Sequence, residues 1–237
     1  MMNPGGHGTN QAAGTLFRLL AAPAVVVACL LLWRNVYAVF IIYHLGFCLL
    51  LPAFVNLRKR GLSFADHLAF LGLTGSGTLR GFLFGLGLGV ALAAGTILVF
   101  RWFGEIFLAG QSVPAVLSAW GVDRGNMPLL FWFMVLVNGP AEELYWRGFV
   151  HAELKDRQPR TNTILLIAVC YASYHGVTVF LLVGDILIAG LFLAAILAAG
   201  FGWGWLREKT GSVWPALLGH AGASAAYMIV ARPLLEA

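Results

Sequence analysis

Apolar residues run through this chain in stretches of about twenty, the length that a bilayer-crossing helix needs. Short links that are polar, basic or glycine-rich separate them. Seven such stretches stand at roughly 16–33, 36–56, 81–103, 127–154, 161–182, 184–206 and 213–231. Their near-continuous apolarity, rather than a one-sided stripe, predicts an all-α fold. The architecture expected is a polytopic transmembrane helical bundle of seven to eight spans. Pro23 and Pro52 fall inside the first two stretches. Membrane helices tolerate proline where neighbours satisfy the freed carbonyl. Glycines gather in the third stretch (Gly81, Gly85, Gly87, Gly89) and the sixth (Gly190, Gly200, Gly202, Gly204). They suit close packing of helix against helix.

Two longer links remain. Residues 57–80 are basic, then rich in glycine and threonine, and read as a cytoplasmic linker. Residues 104–126 mix Phe107, Leu108, Val113, Val116, Leu117 and Trp120 with few charges. They read as a short helix lying at the outer interface. The tail at 1–14 is polar and lacks the form of a cleavable signal peptide, so the first stretch is expected to be an uncleaved helix. The whole of 1–237 reads as a single membrane domain.

Composition supports this class. The chain is 60% apolar and 11% charged, against about 25% charged in soluble domains. Its net charge of +5 comes from basic residues in the links. That pattern indicates topology and lipid contact, not nucleic acid. With the N-terminus placed in the cytoplasm, the inner links carry ten Lys and Arg (18, 58–60, 80, 155, 157, 160, 207, 209). The outer links carry four (34, 101, 124, 232). The positive-inside rule selects this orientation. The expected location is a bacterial plasma membrane, as an integral protein. Cys29, Cys48 and Cys170 are scattered through apolar stretches, with no CxxC or disulfide framework.

Against this background a few polar residues stand out: His44, Asn138, Glu142, Glu143, Arg147, His175 and His220. A charge at the centre of a spanning helix costs about 2.5–3.5 kcal/mol on insertion scales. Glu143 and Arg147 are four apart, so they share a helix face and can pair. Glu142 points about 100° away and has no such partner on its own helix. Pro140 leaves the carbonyl of Leu136 without its helical donor, so a bend is expected there, and Gly139 leaves room beside it. Lone His44 is expected to be a packing or interhelical residue. Asp185, His151 and Glu153 lie near span ends and are expected to face water.

Depth adds a constraint. Glu142 lies about 20 Å from the end of its stretch, and His175 about 21 Å from the start of the next, across a short basic link. The two should meet at one level. His220 is only about 12 Å past Ser212. It reaches that level if the last helix tilts or starts below the interface. A carboxylate and two imidazoles suit hydrolysis, the carboxylate taking a proton from water and an imidazole supporting an oxyanion. The same set could hold zinc with an open position, although no HExxH pattern is present.

At these residues the chain resembles the CPBP family of glutamate-dependent intramembrane proteases, which includes CAAX prenyl endopeptidases and bacteriocin-processing enzymes. The family's EExxxR motif stands as Glu142-Glu143-Leu144-Tyr145-Trp146-Arg147. Its aromatic-xxxH motif stands as Tyr171-Ala172-Ser173-Tyr174-His175, and its HxxxN/D motif as His220-Ala221-Gly222-Ala223-Ser224. The resemblance covers a core of about 127–228. It implies that Glu142 is the general base, His175 positions the water and His220 stabilises the oxyanion. Glu143 and Arg147 would support the site or contact substrate, with Ser224 and Tyr171 beside them. It implies no metal or other cofactor, zinc being possible but not favoured. The substrate would be a membrane-anchored peptide or protein, cut near its C-terminus: a CAAX-type tail, a bacteriocin leader or a C-terminal sorting signal. Ser224 departs from the family's Asn or Asp and offers a shorter reach. It motivates the alternative of a non-catalytic membrane binding or scaffold protein of the same fold. Solute- or proton-coupled transport rests on the buried carboxylates alone.

Overall fold

A computed structural model describes residues 6–108 and 113–236, with side chains over 14–104 and 113–232. Of the polar tail at 1–14, residues 1–5 lie outside this description, as do the side chains of Phe107 and Leu108. The described chain forms helices and no strand.

Helix α1 runs over Gly6–Val27 and continues as a π-helical turn, Ala28–Leu32. Helix α2 spans Val36–Lys59. A short α3, Phe64–Leu71, precedes the long α4, Thr78–Leu108. Helix α5 covers Val113–Ala119. Helix α6 occupies residues 127–154, α7 Arg160–Val183, α8 Ile186–Thr210 and α9 Trp214–Glu236. The seven apolar stretches correspond to α1, α2, α4, α6, α7, α8 and α9.

Among the described residues, five helices are long and apolar enough to cross a bilayer on composition alone: α1, α2, α4, α7 and α8. Helix α6 has the length but carries the charges of the polar cluster. The outward surface is apolar: only 11% of the α4 window is buried inside the protein, and Leu83, Phe84, Leu86, Val90 and Trp102 are exposed. Such a surface needs lipid around it. The protein is an all-α helical membrane protein.

One of the longer links holds more structure than expected, and the other holds the short helix expected of it. The 57–80 link contains α3, which Ser63 caps by accepting from the Asp66 amide at 3.1 Å. Ser-x-x-Asp is a capping arrangement, and Gly72 closes the helix in the left-handed region at φ 79°. In the other link α5 forms, and Trp120 after it turns inward and is buried.

Two features position the site. Helices α4 and α9 meet backbone to backbone. A Cβ on Gly85 would lie 2.6 Å from the Trp214 carbonyl oxygen, and one on Gly222 only 2.2 Å from that of Gly89. Helix α9 also starts under cover. The Val213 amide donates to the Gly72 carbonyl at 3.0 Å, and Trp214 Nε1 donates to Leu73 O at 3.0 Å. The first turn of α9 is thus anchored against the end of α3.

Helix α6 alternates between α and π geometry. Wide turns at Met134–Asn138 and Leu144–Val150 flank the α-helical Gly139–Glu143. The first accommodates Pro140, whose ring would otherwise strike a preceding carbonyl. Wide turns of this kind are frequent at functional positions, and here they also occur in α1 and α2.

Candidate active site in the bundle core

Glu142 and Glu143 are both buried, with 2% and 0% exposure, and the structure separates their surroundings. Glu143 Oε1 accepts from Arg147 Nη1 at 3.0 Å, the pairing that the i, i+4 spacing predicts. The same oxygen lies 3.0 Å from His220 Nδ1. Arg147 is wholly buried; its Nη2 donates to the Gly200 carbonyl at 3.0 Å, and its Cζ sits 4.4 Å over the Tyr171 ring. Gly200 gives the pair room: a Cβ there would crowd Arg147 Nη2 at 3.2 Å and Tyr171 Cδ1 at 3.3 Å. Glu143 therefore joins α6 to α9, and Arg147 joins it to α7 and α8.

Glu142 faces imidazoles. His44 Nε2 stands 3.6 Å from its Oε1. His175 and His220 act on the same carboxylate through space. Its other oxygen, Oε2, is buried and meets no hydrogen-bond partner among the described residues. His175 is half-buried and anchored, with Nδ1 2.8 Å from the Tyr171 carbonyl of the preceding turn. Tyr171 and Tyr174 flank its ring at 4.5 and 4.3 Å. The Tyr174 hydroxyl accepts from Tyr43 at 2.8 Å, and Trp146 Nε1 donates to Tyr43 at 3.0 Å.

Gly139 makes room for His220: a Cβ there would lie 3.1 Å from the imidazole Cγ. Ser224, one turn on, is wholly buried. The predicted residues Glu142, Glu143, Arg147, Tyr171, His175, His220 and Ser224 thus lie on three adjoining helices. His220 differs in its direct partner, which is Glu143 rather than Glu142. Among the described residues, no three His, Cys, Asp or Glu side chains are disposed to hold a metal ion.

One expectation is sharpened and another corrected. His44 is interhelical, as expected, and what it faces is Glu142, with Nε2 3.6 Å from Oε1. His151 and Glu153 do not face water. His151 Nε2 lies 2.7 Å from Glu208 Oε1, and buried Glu153 pairs with Arg18 and Arg60, tying α1, α2 and α6 together at one end of the bundle.

A family model described as type II CAAX prenyl endopeptidase Rce1-like matches residues 124–226. This stretch, less than half of the chain, is similar to that family. It contains Glu142, Glu143, Arg147, Tyr171, His175, His220 and Ser224, whereas His44 on α2 lies outside it. Comparison with individual curated proteins and with solved structures gave no match. The Rce1-like region supports protease function at the level of the family, in a chain whose apolar helices belong in a membrane.

Proposed function

We propose that the protein is a glutamate-type intramembrane endopeptidase that hydrolyses a peptide bond near a membrane-anchored C-terminus. The observation that carries this reading is the division of labour between the adjacent carboxylates. Glu143 Oε1 is engaged by both Arg147 and His220, while Glu142, whose Oε2 meets no hydrogen-bond partner among the described residues, stands amid three imidazoles.

Glu142 Oε2 takes a proton from water as the water oxygen attacks the scissile carbonyl carbon. His175 holds the water. The tetrahedral oxyanion is stabilised from His220, whose Nδ1 is committed to Glu143, so that Nε2 is the nitrogen left for substrate. The carbon–nitrogen bond then breaks, and the proton on Glu142 passes to the leaving amine. No metal or other cofactor takes part in this scheme. The membrane is the bacterial plasma membrane, with the N-terminus in the cytoplasm. The substrate is a CAAX-type prenylated tail or a C-terminal sorting signal.

Ser224 favours a second reading, a non-catalytic protein that binds such a segment, because serine is shorter than the family's Asn or Asp. The test is incubation of the protein in lipid nanodiscs with a farnesylated CAAX peptide and with an apolar C-terminal sorting peptide, followed by mass spectrometry. Cleavage that disappears in Glu142→Gln supports the protease. Binding of both peptides without cleavage supports the second reading.

A further inference from the structure

His44 stands on α2, outside the Rce1-like region, yet its Nε2 is 3.6 Å from Glu142 Oε1. Both side chains are buried, at 2% and 3% side-chain exposure. Three aromatic rings fix the imidazole: Tyr43 at 4.8 Å, Phe133 at 5.5 Å and Phe40 at 5.9 Å. Neither ring nitrogen has a hydrogen-bond partner among the described residues. A histidine kept for packing alone would leave two polar atoms unsatisfied in a dry interior, and apolar side chains fill such places without that cost.

The separation is an ion-pair distance, slightly beyond hydrogen-bond reach. Contacts of this kind commonly tighten when substrate enters. The two oxygens of Glu142 have different surroundings: Oε1 faces His44, and Oε2 has no hydrogen-bond partner among the described residues. The arrangement around Glu143 is parallel, since one oxygen is held there too.

We propose that His44 is a positioning residue of the site, holding Oε1 of Glu142 so that Oε2 is presented to water. This inference rests on the catalytic reading of Glu142. The titratable groups that interact with that carboxylate come from three other helices: His44, Tyr43 and Cys48 on α2, His175, Tyr171 and Tyr174 on α7, and His220 and Tyr227 on α9. Among the described imidazoles, His44 is the one with a nitrogen within 4 Å of a Glu142 oxygen, at 3.6 Å.

The test compares His44→Phe, which keeps the ring and removes the polar atoms, with His44→Gln, which keeps a donor. Cleavage of the farnesylated CAAX peptide is expected to lose about 10- to 100-fold in kcat in His44→Phe. That is the scale of a roughly 1 Å misplacement of a catalytic group. KM should hold near wild type, and His44→Gln should recover most of the loss. A second readout needs no turnover. A hydrophobic carbodiimide, dicyclohexylcarbodiimide, reacts with protonated buried carboxyls, and mass spectrometry locates the adduct. At neutral pH, His44→Phe should raise labelling of Glu142 several-fold over wild type, and His44→Gln should not. Wild-type kcat or wild-type labelling in His44→Phe overturns the proposal. Glu142→Gln, run in parallel, separates the two ideas: turnover surviving in that variant overturns the catalytic reading instead.

Discussion

Replacing Arg147 by Met tests whether the Glu143–Arg147–His220 network lies in a dry interior. Both members of the ion pair have 0% side-chain exposure, so solvent screening does not discount their interaction. The substitution removes the 3.0 Å bond to Glu143, the 3.0 Å bond to the Gly200 carbonyl and the stack over Tyr171. Breaking a buried pair from one side costs about 3–5 kcal/mol, because the remaining charge is left uncompensated. Here Glu143 retains His220 at 3.0 Å. A partner therefore remains, which places the expected loss near the lower end, about 3 kcal/mol. That is a shift of roughly a hundredfold in the folding equilibrium. The assay is reversible unfolding in mixed micelles by titration with dodecyl sulfate, followed by tryptophan fluorescence. The double variant Glu143→Gln/Arg147→Met should cost less than Arg147→Met alone, since it leaves no stranded carboxylate. A loss below about 1 kcal/mol in the single variant, the range of an exposed pair, would refute the placement of this pair in a dry core.

Other outcomes follow from particular contacts. Gly222→Ala should destabilise by about 1–3 kcal/mol and lower turnover by displacing His220, because its Cβ would meet Gly89 O at 2.2 Å. Gly202→Ala, with nothing within 4 Å, should be neutral or stabilising in the same unfolding assay. Tyr43→Phe should cost about 1–3 kcal/mol by stranding Trp146 Nε1 and the Tyr174 hydroxyl, both bonded to it. Burial holds the His67 imidazole on α3 below its ordinary value of 6.5. The unfolded chain therefore binds the proton more readily, and stability should fall as pH drops through about 6.5. His67→Phe should remove that part of the pH slope in thermal unfolding.

The helices were legible because apolar length is a strong signal: seven apolar stretches became seven long helices. The Glu143–Arg147 pair was legible because four-residue spacing is local geometry. The level of His175 followed from counting residues on both sides of a short link. His44 was not legible in this way. It sits on a helix distant in sequence, and a lone histidine in an apolar run carries no spacing that names its partner. His151 and Glu153 were misplaced for a related reason: position near a span end suggests water, but cations from α1 and α2 converge there. The linker helix α3 left a signal in Ser63-x-x-Asp66 that the surrounding glycines and threonines obscured. The π-helical turns of α6 and the backbone contact of α4 with α9 depend on tertiary packing, and periodicity does not encode them.

The most direct test of the central claim is a comparison of Glu142→Gln with Glu143→Gln, measuring cleavage and unfolding on the same preparations in nanodiscs with the farnesylated CAAX peptide. The account predicts that Glu142→Gln stays folded and loses turnover, while Glu143→Gln loses stability and keeps a measurable residue of activity in its folded fraction. Wild-type turnover in Glu142→Gln would contradict it.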